Sequence, residues 1–219
     1  MWSKGLESVN ASCPGVAGAD MLWQSTILGV PMFESKPWLK FYGDVPESLE
    51  YPRVRLYEAL ASSARAHAES LAYDFMGTTA TYRQFIAQID RFAQALSALG
   101  LGPGERLTLC MPTCPQGVIA FYAANKLGAV CSLIHPLSPP KEIAFYLNTA
   151  QSRFALTLDA FYPAFAEAAV GTPLEKLILA RIGDFLKFPL NFGFWLTKGR
   201  KIAQGPATSQ EARPQVHWW

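Results

Sequence analysis

The sequence predicts an α/β fold in which a mainly parallel sheet is flanked by helices. Short segments made almost wholly of apolar residues alternate along the chain with longer segments of helical periodicity. Strands that are hydrophobic at every position are typical of parallel sheets buried on both faces, with helices as the crossover connections. Half of the 219 residues are hydrophobic and only 16% are charged, which allows a sizeable core.

The first third of the chain predicts a helix, a hairpin and a second helix. Apolar residues at helical spacing predict the first helix at about 53–69. Alternating residues on either side of a Gly-Thr turn predict an early hairpin over 71–81. The next helix has the clearest signals of the chain, with Thr81 as its N-cap and Gly100 just past its end. Its apolar stripe consists of Phe85, Ile89, Phe92, Leu96 and Leu99.

The rest of the chain repeats a strand–helix unit. The further strands are predicted at 106–111, 129–134, 154–158 and 176–180. The helices between them are predicted at 115–126, 141–148 and 161–169. Pro115 suits the first position of a helix, Gly128 suits a helix end, and Ser138 is predicted to cap the helix that follows it. Crossovers of this kind are expected to be right-handed.

Charge and cysteine content exclude several classes of function. Nineteen basic and seventeen acidic residues leave a net charge of +2, which is too balanced for a dedicated nucleic-acid binder. The four cysteines show no zinc-ligand spacing and require no disulfide, so we predict a reducing, cytoplasmic compartment and no metal site. They are Cys13, Cys110, Cys114 and Cys131. No signal peptide is recognisable, and residues 1–36 are predicted to be a poorly structured leader.

Two polar residues follow predicted strands, where ligands of such sheets bind. His135 is predicted to contact substrate, with a hydrogen bond to a loop backbone as the alternative. Asp159 has the same two interpretations, the second being the cap of the next helix. The sequence contains no phosphate-binding glycine motif, nucleophile elbow or zinc-protease motif. The residues alone therefore predict a fold but no reaction, and we assign no catalytic, cofactor-binding or metal-binding residue.

Four ordered segments resemble motifs of the AMP-forming acyl-CoA synthetases, a family of adenylate-forming ligases. They are Thr81–Phe85, Leu101–Arg106, Leu109–Pro112 with Phe121–Ala129, and Leu133–Glu142. The segment Pro37–Tyr42 is similar to bacterial long-chain fatty-acid ligases in particular. The resemblance extends from about Tyr51 to Asp159.

The resemblance implies a two-step reaction for the full-length enzyme. A carboxylate attacks the α-phosphate of ATP, with Mg²⁺, to give an acyl-adenylate, and coenzyme A then takes the acyl group. The family's phosphate loop and C-terminal motifs have no counterpart in this sequence. We therefore expect residues 37–202 to be an incomplete N-terminal part of the adenylation domain, inactive alone and binding none of these cofactors alone, and 203–219 to be a disordered or truncated tail.

Two alternatives stay open at this point. One is a non-enzymatic, degenerate α/β module kept for binding. The other is a fragment of another adenylating enzyme, such as an amino-acid-activating domain, since the four segments do not identify the acid.

Residues 185–201 combine aromatic side chains with a basic cluster. Such a composition is typical of a helix lying on an anionic bilayer, so we predict peripheral membrane contact. Pro189 and Gly193 would break a long helix, however. The alternative is a buried segment that packs on another part of the domain.

Overall fold

The computed structural model describes residues 36–186, 192–193, 196 and 214–219. The chain divides into two compact units, Met1–Pro52 and Arg53–Trp219. In the first unit a 3₁₀ helix spans Pro37–Phe41, and Lys36 pairs with Glu47. The predicted leader, residues 1–36, lies outside the described residues except for Lys36.

The unit Arg53–Trp219 alternates helices and strands as the sequence predicts. Its α helices are α1 Leu56–Ala66, α2 Tyr82–Ala98, α3 Pro115–Lys126, α4 Pro140–Ala150 and α5 Tyr162–Ala168. Its strands are β1 Leu71–Phe75, β2 Thr78–Thr81, β3 Arg106–Cys110, β4 Val130–Leu133, β5 Phe154–Leu158, β6 Lys176–Ala180 and β7 Gln215–Trp218. Short 3₁₀ helices, Asp159–Phe161 and Ile182–Phe185, follow β5 and β6.

The strands form one hairpin and one parallel sheet, which confirms the predicted fold class. β1 and β2 pair antiparallel, and the described part of the second sheet has the order β4-β3-β5-β6-β7. All four pairings in that sheet are parallel. The hairpin stands outside the strand–helix repeat, as expected.

Helices cover both faces of the parallel sheet. Successive strand residues point to opposite faces, so each face presents apolar side chains that a helix buries. One cluster joins α2 and α3 to Leu107, Leu109 and Leu156 of the sheet. The other joins α4 and α5 to Ala155 and Leu177. Within β5 and β6 the residues of the two clusters alternate, so both strands are buried on both faces. They are apolar except for Thr157 and Lys176.

The local signals at the helix ends are confirmed in most cases. Thr81 caps α2, its hydroxyl accepting from the Gln84 amide at 3.3 Å, and Gly100 has the positive φ of +94° expected after a helix end. The predicted cap at Ser138 is wrong. Pro139 occupies the N-cap position of α4, because its extended backbone (φ −68°, ψ 158°) leads directly into a helix that begins at Pro140.

The tail over 203–219 is predicted to be disordered or truncated, but its last residues are ordered. Gln215–Trp218 form β7, parallel to β6, and Trp219 stacks on Phe92 with ring centroids 3.9 Å apart. The segment is too short to show a periodic pattern, and its strand conformation depends on pairing with a distant strand. Residues 203–213 lie outside the described residues.

Candidate functional site

The strand order places a topological switch point at β3. The chain passes from β3 to β4 on one side and then returns to β5 on the other side. Ligands of doubly wound sheets bind in the crevice at the carboxyl ends of the strands on either side of such a reversal. The candidate site therefore lies beyond the carboxyl ends of β3 and β5, next to the end of β6.

Asp159 is the first residue after β5 and is only 7% exposed. One carboxylate oxygen, Oδ1, accepts from the Ala160 amide at 2.9 Å. Burial raises the pKa of this carboxyl above its usual value, while the nearby positive charge of Arg181 acts in the opposite direction. The prediction that Asp159 caps the next helix is wrong, because Asp159 is itself the first residue of the 3₁₀ turn Asp159–Phe161 and Phe161 occupies the N-cap position of α5. Ligand contact by Asp159 stays a prediction.

The segment after β6 is held at this edge by two hydrogen bonds to other elements and one within the segment. The buried Gln116, in the first turn of α3, donates from Nε2 to the Arg181 carbonyl at 3.1 Å. The Thr78 hydroxyl donates to the Phe185 carbonyl at 2.7 Å, and the Asp184 carboxylate accepts from the Arg181 amide at 3.3 Å. Sequence reasoning missed Gln116. A polar side chain next to Pro115 on an otherwise apolar helix was the available signal.

The guanidinium of Arg181 lies over the ring of Trp218, with 4.6 Å between its central carbon and the ring centroid. A stacked guanidinium keeps its charge and its outward donors available. The carboxyl edge therefore combines one buried acid, Asp159, with one exposed cation beside it.

His135 follows β4 and is exposed. Its Nδ1 accepts from the Leu137 amide at 3.2 Å, and its carbonyl accepts from the Cys110 thiol at 3.5 Å. These bonds match the loop-backbone alternative. β3 separates the strand before His135 from the strand before Asp159, so the two predicted residues follow non-adjacent strands. Substrate contact by His135 stays a prediction.

The described thiols are not activated nucleophiles. Cys110, Cys114 and Cys131 are free. Burial raises the pKa of Cys110 and of Cys131 to about 11, and it also raises that of Cys114. They are therefore protonated at neutral pH.

Two apolar cavities flank the first turn of α3. One, of about 370 Å³, opens between α3 and β4 and includes Met111, Phe121 and Leu133 in its lining. The other, of about 340 Å³, faces the hairpin and includes Tyr73 and Phe85. Both are largely apolar, so they suit hydrocarbon surfaces and not phosphate groups.

The residues that the structure describes hold neither a metal-binding cluster nor a membrane-spanning helix. No group of three or more His, Cys, Asp or Glu is placed there to hold a metal ion. Within the same residues, no helix is both long enough and apolar enough to cross a bilayer.

The fold and the switch-point edge define a doubly wound α/β protein. The described groups at its edge, a buried acid and an exposed cation, do not by themselves define a reaction. The family described as AMP-binding enzyme matches residues 60–190, which is more than half of the chain. The chain belongs to the AMP-binding enzyme family. This confirms the resemblance to adenylate-forming acyl-CoA synthetases.

Curated relatives support the same assignment. The chain is 29% identical over 172 residues to a long-chain-fatty-acid–CoA ligase of Bacillus subtilis, a match that covers 78% of this chain and 31% of the relative. It is 37% identical over 135 residues to an acetyl-coenzyme A synthetase of Deinococcus radiodurans, a match that covers 57% of this chain and 20% of the relative. The chain thus spans about a third or less of the length of these relatives.

Solved structures show the same fold. A long-chain-fatty-acid-CoA ligase of Archaeoglobus fulgidus superposes with a TM-score of 0.56 at 20% identity, over 60% of this chain and 28% of that one. The N-terminal domain of FACL13 from Mycobacterium tuberculosis gives a TM-score of 0.53 at 27% identity, over 57% of this chain and 33% of that domain.

Proposed function

We propose that this chain is the N-terminal part of the adenylation domain of an ATP-dependent fatty-acid CoA ligase, and that it is inactive by itself. The observation that carries the proposal is the family match over residues 60–190, which include the switch-point sheet up to β6. The match to the long-chain ligase of Bacillus subtilis covers only about a third of that relative. In the complete enzyme a fatty acid and ATP would form an acyl-adenylate and pyrophosphate. The thiol of coenzyme A would then take the acyl group.

The chemistry of the carboxyl edge supports inactivity. Adenylation requires several cations to neutralise phosphate charge as it develops. The described edge offers Arg181, stacked on Trp218, beside a carboxyl at Asp159. This set does not fit ATP with Mg²⁺, so no step of the reaction is assigned to these residues. Their proposed contribution is to shape one wall of the site.

Fatty-acid-dependent exchange of labelled pyrophosphate into ATP tests this proposal. The purified 219-residue chain is expected to show only background exchange with a long-chain fatty acid, while the Bacillus subtilis ligase serves as the positive control. Exchange well above background by the chain alone would contradict the proposal.

The proposal assigns the substrate only to a class, the fatty acids. The higher identity to the acetyl-coenzyme A synthetase favours a short carboxylic acid as the second candidate substrate. The non-enzymatic module and the amino-acid-activating fragment remain alternatives. Activity assays of the enzyme that contains this chain, with acetate, palmitate and mixed amino acids as substrates, separate these candidates. Absence of activity with every acid would favour the non-enzymatic module.

We also propose cytoplasmic localisation with peripheral membrane contact through residues 185–201. The support is the composition of the segment, in which aromatic residues precede Lys198, Arg200 and Lys201 in the sequence. Most of this segment lies outside the described residues. Co-sedimentation with vesicles containing anionic lipid should fall when Lys198 and Lys201 are replaced by Gln, and unchanged co-sedimentation would contradict the proposal.

A further inference from the structure

The cavity of about 340 Å³ between the hairpin and the first turn of α3 is lined largely by aromatic side chains. They are Tyr73, Phe75, Tyr82, Phe85 and Tyr122. Phe85 is buried, and the other four are partly exposed. Every residue of the lining belongs to the unit Arg53–Trp219. Ligand pockets in proteins begin at about 300 Å³, so this cavity is large enough for a small molecule.

Three rings of this cavity, here called the aromatic cavity, are held in place by contacts with one another. The ring of Phe85 lies at 85° to that of Tyr73 and at 89° to that of Tyr122, with centroids 5.7 Å and 6.1 Å apart. Edge-to-face pairs of this kind are a favoured arrangement of aromatic rings. The Tyr73 hydroxyl donates to Oε1 of Gln88 at 3.0 Å, which holds the far end of that ring. The aromatic cavity is therefore pre-organised, which lowers the entropic cost of binding a ligand.

The charge of the lining favours a cation. Asp74 is an exposed residue of the lining, and its Oδ1 accepts from the Gly77 amide at 3.0 Å in the hairpin turn. None of the described lining residues is Lys, Arg or His. A carboxylate or phosphate would therefore meet a like charge without a compensating cation. Aromatic faces carry partial negative charge and attract cations, so the rings and the acid act in the same direction.

We propose that the aromatic cavity binds a small quaternary ammonium ion. Such an ion presents methyl groups, which match the hydrocarbon surface of the lining, and a positive charge, which aromatic faces attract. It has no N–H donor, so it leaves no hydrogen bond unmade in a cavity that offers few acceptors. A primary ammonium ion would lose its hydrogen bonds to water there. The inference goes beyond the proposed ligase function and does not depend on it.

Ligand-observed NMR on the purified 219-residue chain tests the proposal with choline as the probe. The equivalent methyl groups of choline give a single signal, and so do those of 3,3-dimethyl-1-butanol, its neutral isostere with carbon in place of nitrogen. Choline should bind saturably. The alcohol should bind about fivefold more weakly, because it has the same shape without the charge. Phosphocholine should also bind more weakly than choline, since its phosphate meets Asp74 and no cation in the described lining.

Two variants of the lining test the ring and the charge separately. Tyr122→Leu keeps an apolar side chain but removes a ring, so choline binding should weaken about fivefold while binding of the alcohol changes less than about twofold. Asp74→Asn removes the charge but keeps an acceptor for the Gly77 amide, and it should weaken choline binding about threefold. Circular dichroism checks that both variants fold. Because Asp74 is exposed, Asp74→Asn tests the charge even if Tyr122→Leu does not fold.

Tyr146→Leu and Asp44→Asn are the matched controls, because they make the same changes at residues outside the lining of the aromatic cavity. Both should bind choline as the unchanged chain does. Absence of saturable choline binding, or equal binding of choline and the neutral alcohol, would overturn the proposal. Equal losses in a cavity variant and its matched control would also overturn it. Tighter binding of phosphocholine than of choline would do the same, because it would show that the site favours the phosphate.

Discussion

Lys126 and Asp90 link helices α3 and α2 through a 2.7 Å contact between Nζ and Oδ1. Tyr57 of α1 joins them, since its hydroxyl donates to the same oxygen at 2.7 Å. The ammonium of Lys126 also lies 4.7 Å from the centroid of the Tyr57 ring. Three helices that are separate in sequence thus share one carboxylate.

Replacing Asp90 by Ala should lower the free energy of unfolding by about 1–2 kcal/mol, because two donors then lose their shared acceptor. Lys126 and Asp90 are 34% and 38% exposed, so solvent screening keeps the loss in this range. Urea denaturation measures it. Glu69→Ala is the control, since it removes an exposed pair with Arg83 and should cost no more than about 0.5 kcal/mol. Equal losses in the two variants would contradict the shared-acceptor interpretation.

Replacing Thr108 by Val should lower the free energy of unfolding by about 1–3 kcal/mol. The Thr108 hydroxyl donates to the Ser152 hydroxyl at 2.8 Å, and both residues are fully buried. Val leaves the Ser152 hydroxyl without that partner, and an unsatisfied buried hydroxyl costs more than the bond contributes.

The double variant Thr108→Val/Ser152→Ala separates this effect from a packing defect. Removing both hydroxyls together should cost less than the sum of the two single changes in a double-mutant cycle. Strict additivity would show that the hydroxyl pair is not coupled.

The stability of the chain should fall as the pH decreases below about 6.5. His217 of β7 has a buried Nε2 with no hydrogen-bond partner among the described residues. Burial, and secondarily the charge of Lys176, lowers the pKa of this histidine from its usual 6.5. Above 6.5 the ring is neutral in both states and carries no penalty. Below 6.5 the unfolded chain binds the proton more readily, and stability is lost until the folded pKa is passed.

Urea midpoints at pH 7.5 and pH 5.5 measure this effect. His217→Gln should reduce the difference between the two midpoints, whereas His67→Gln, a change at an exposed position, should preserve it. A pH difference that is the same in His217→Gln and in the unchanged chain would contradict the assignment.

The sequence could predict the strand–helix repeat because each of those elements carries its own signal. β5 is apolar except for Thr157, and α2 has an apolar stripe with a cap at Thr81. β7 had no such signal, since its conformation comes from pairing with β6. The sequence marks Gln116 as a polar residue in an apolar turn but could not identify its partner, because the Arg181 carbonyl is 65 residues away in the chain. Long-range pairing of this kind is fixed by topology and not by local periodicity.

Asp159→Asn should leave the free energy of unfolding unchanged or raise it at pH 7. Burial raises the pKa of the Asp159 carboxyl, so the folded state favours the protonated form. A raised carboxyl pKa contributes stability that is fully present below about 3.8 and is lost as the pH rises through the folded pKa. Asn is neutral at every pH, and its Oδ1 can still accept from the Ala160 amide, so it avoids that loss.

The advantage of Asn at position 159 should therefore shrink as the pH falls toward 4, which urea denaturation at pH 7 and pH 4 can measure. Asp159→Ala is the control, because it removes both the charge and the acceptor and should be less stable than Asn at pH 7. A clear loss of stability in Asp159→Asn at pH 7 would mean that the carboxylate stabilises the fold, through Arg181, more than its burial costs. If Asn is instead neutral or stabilising, the fold does not require this charge. A buried carboxylate that stability does not require, at the switch-point edge of the sheet, is expected to serve ligand binding.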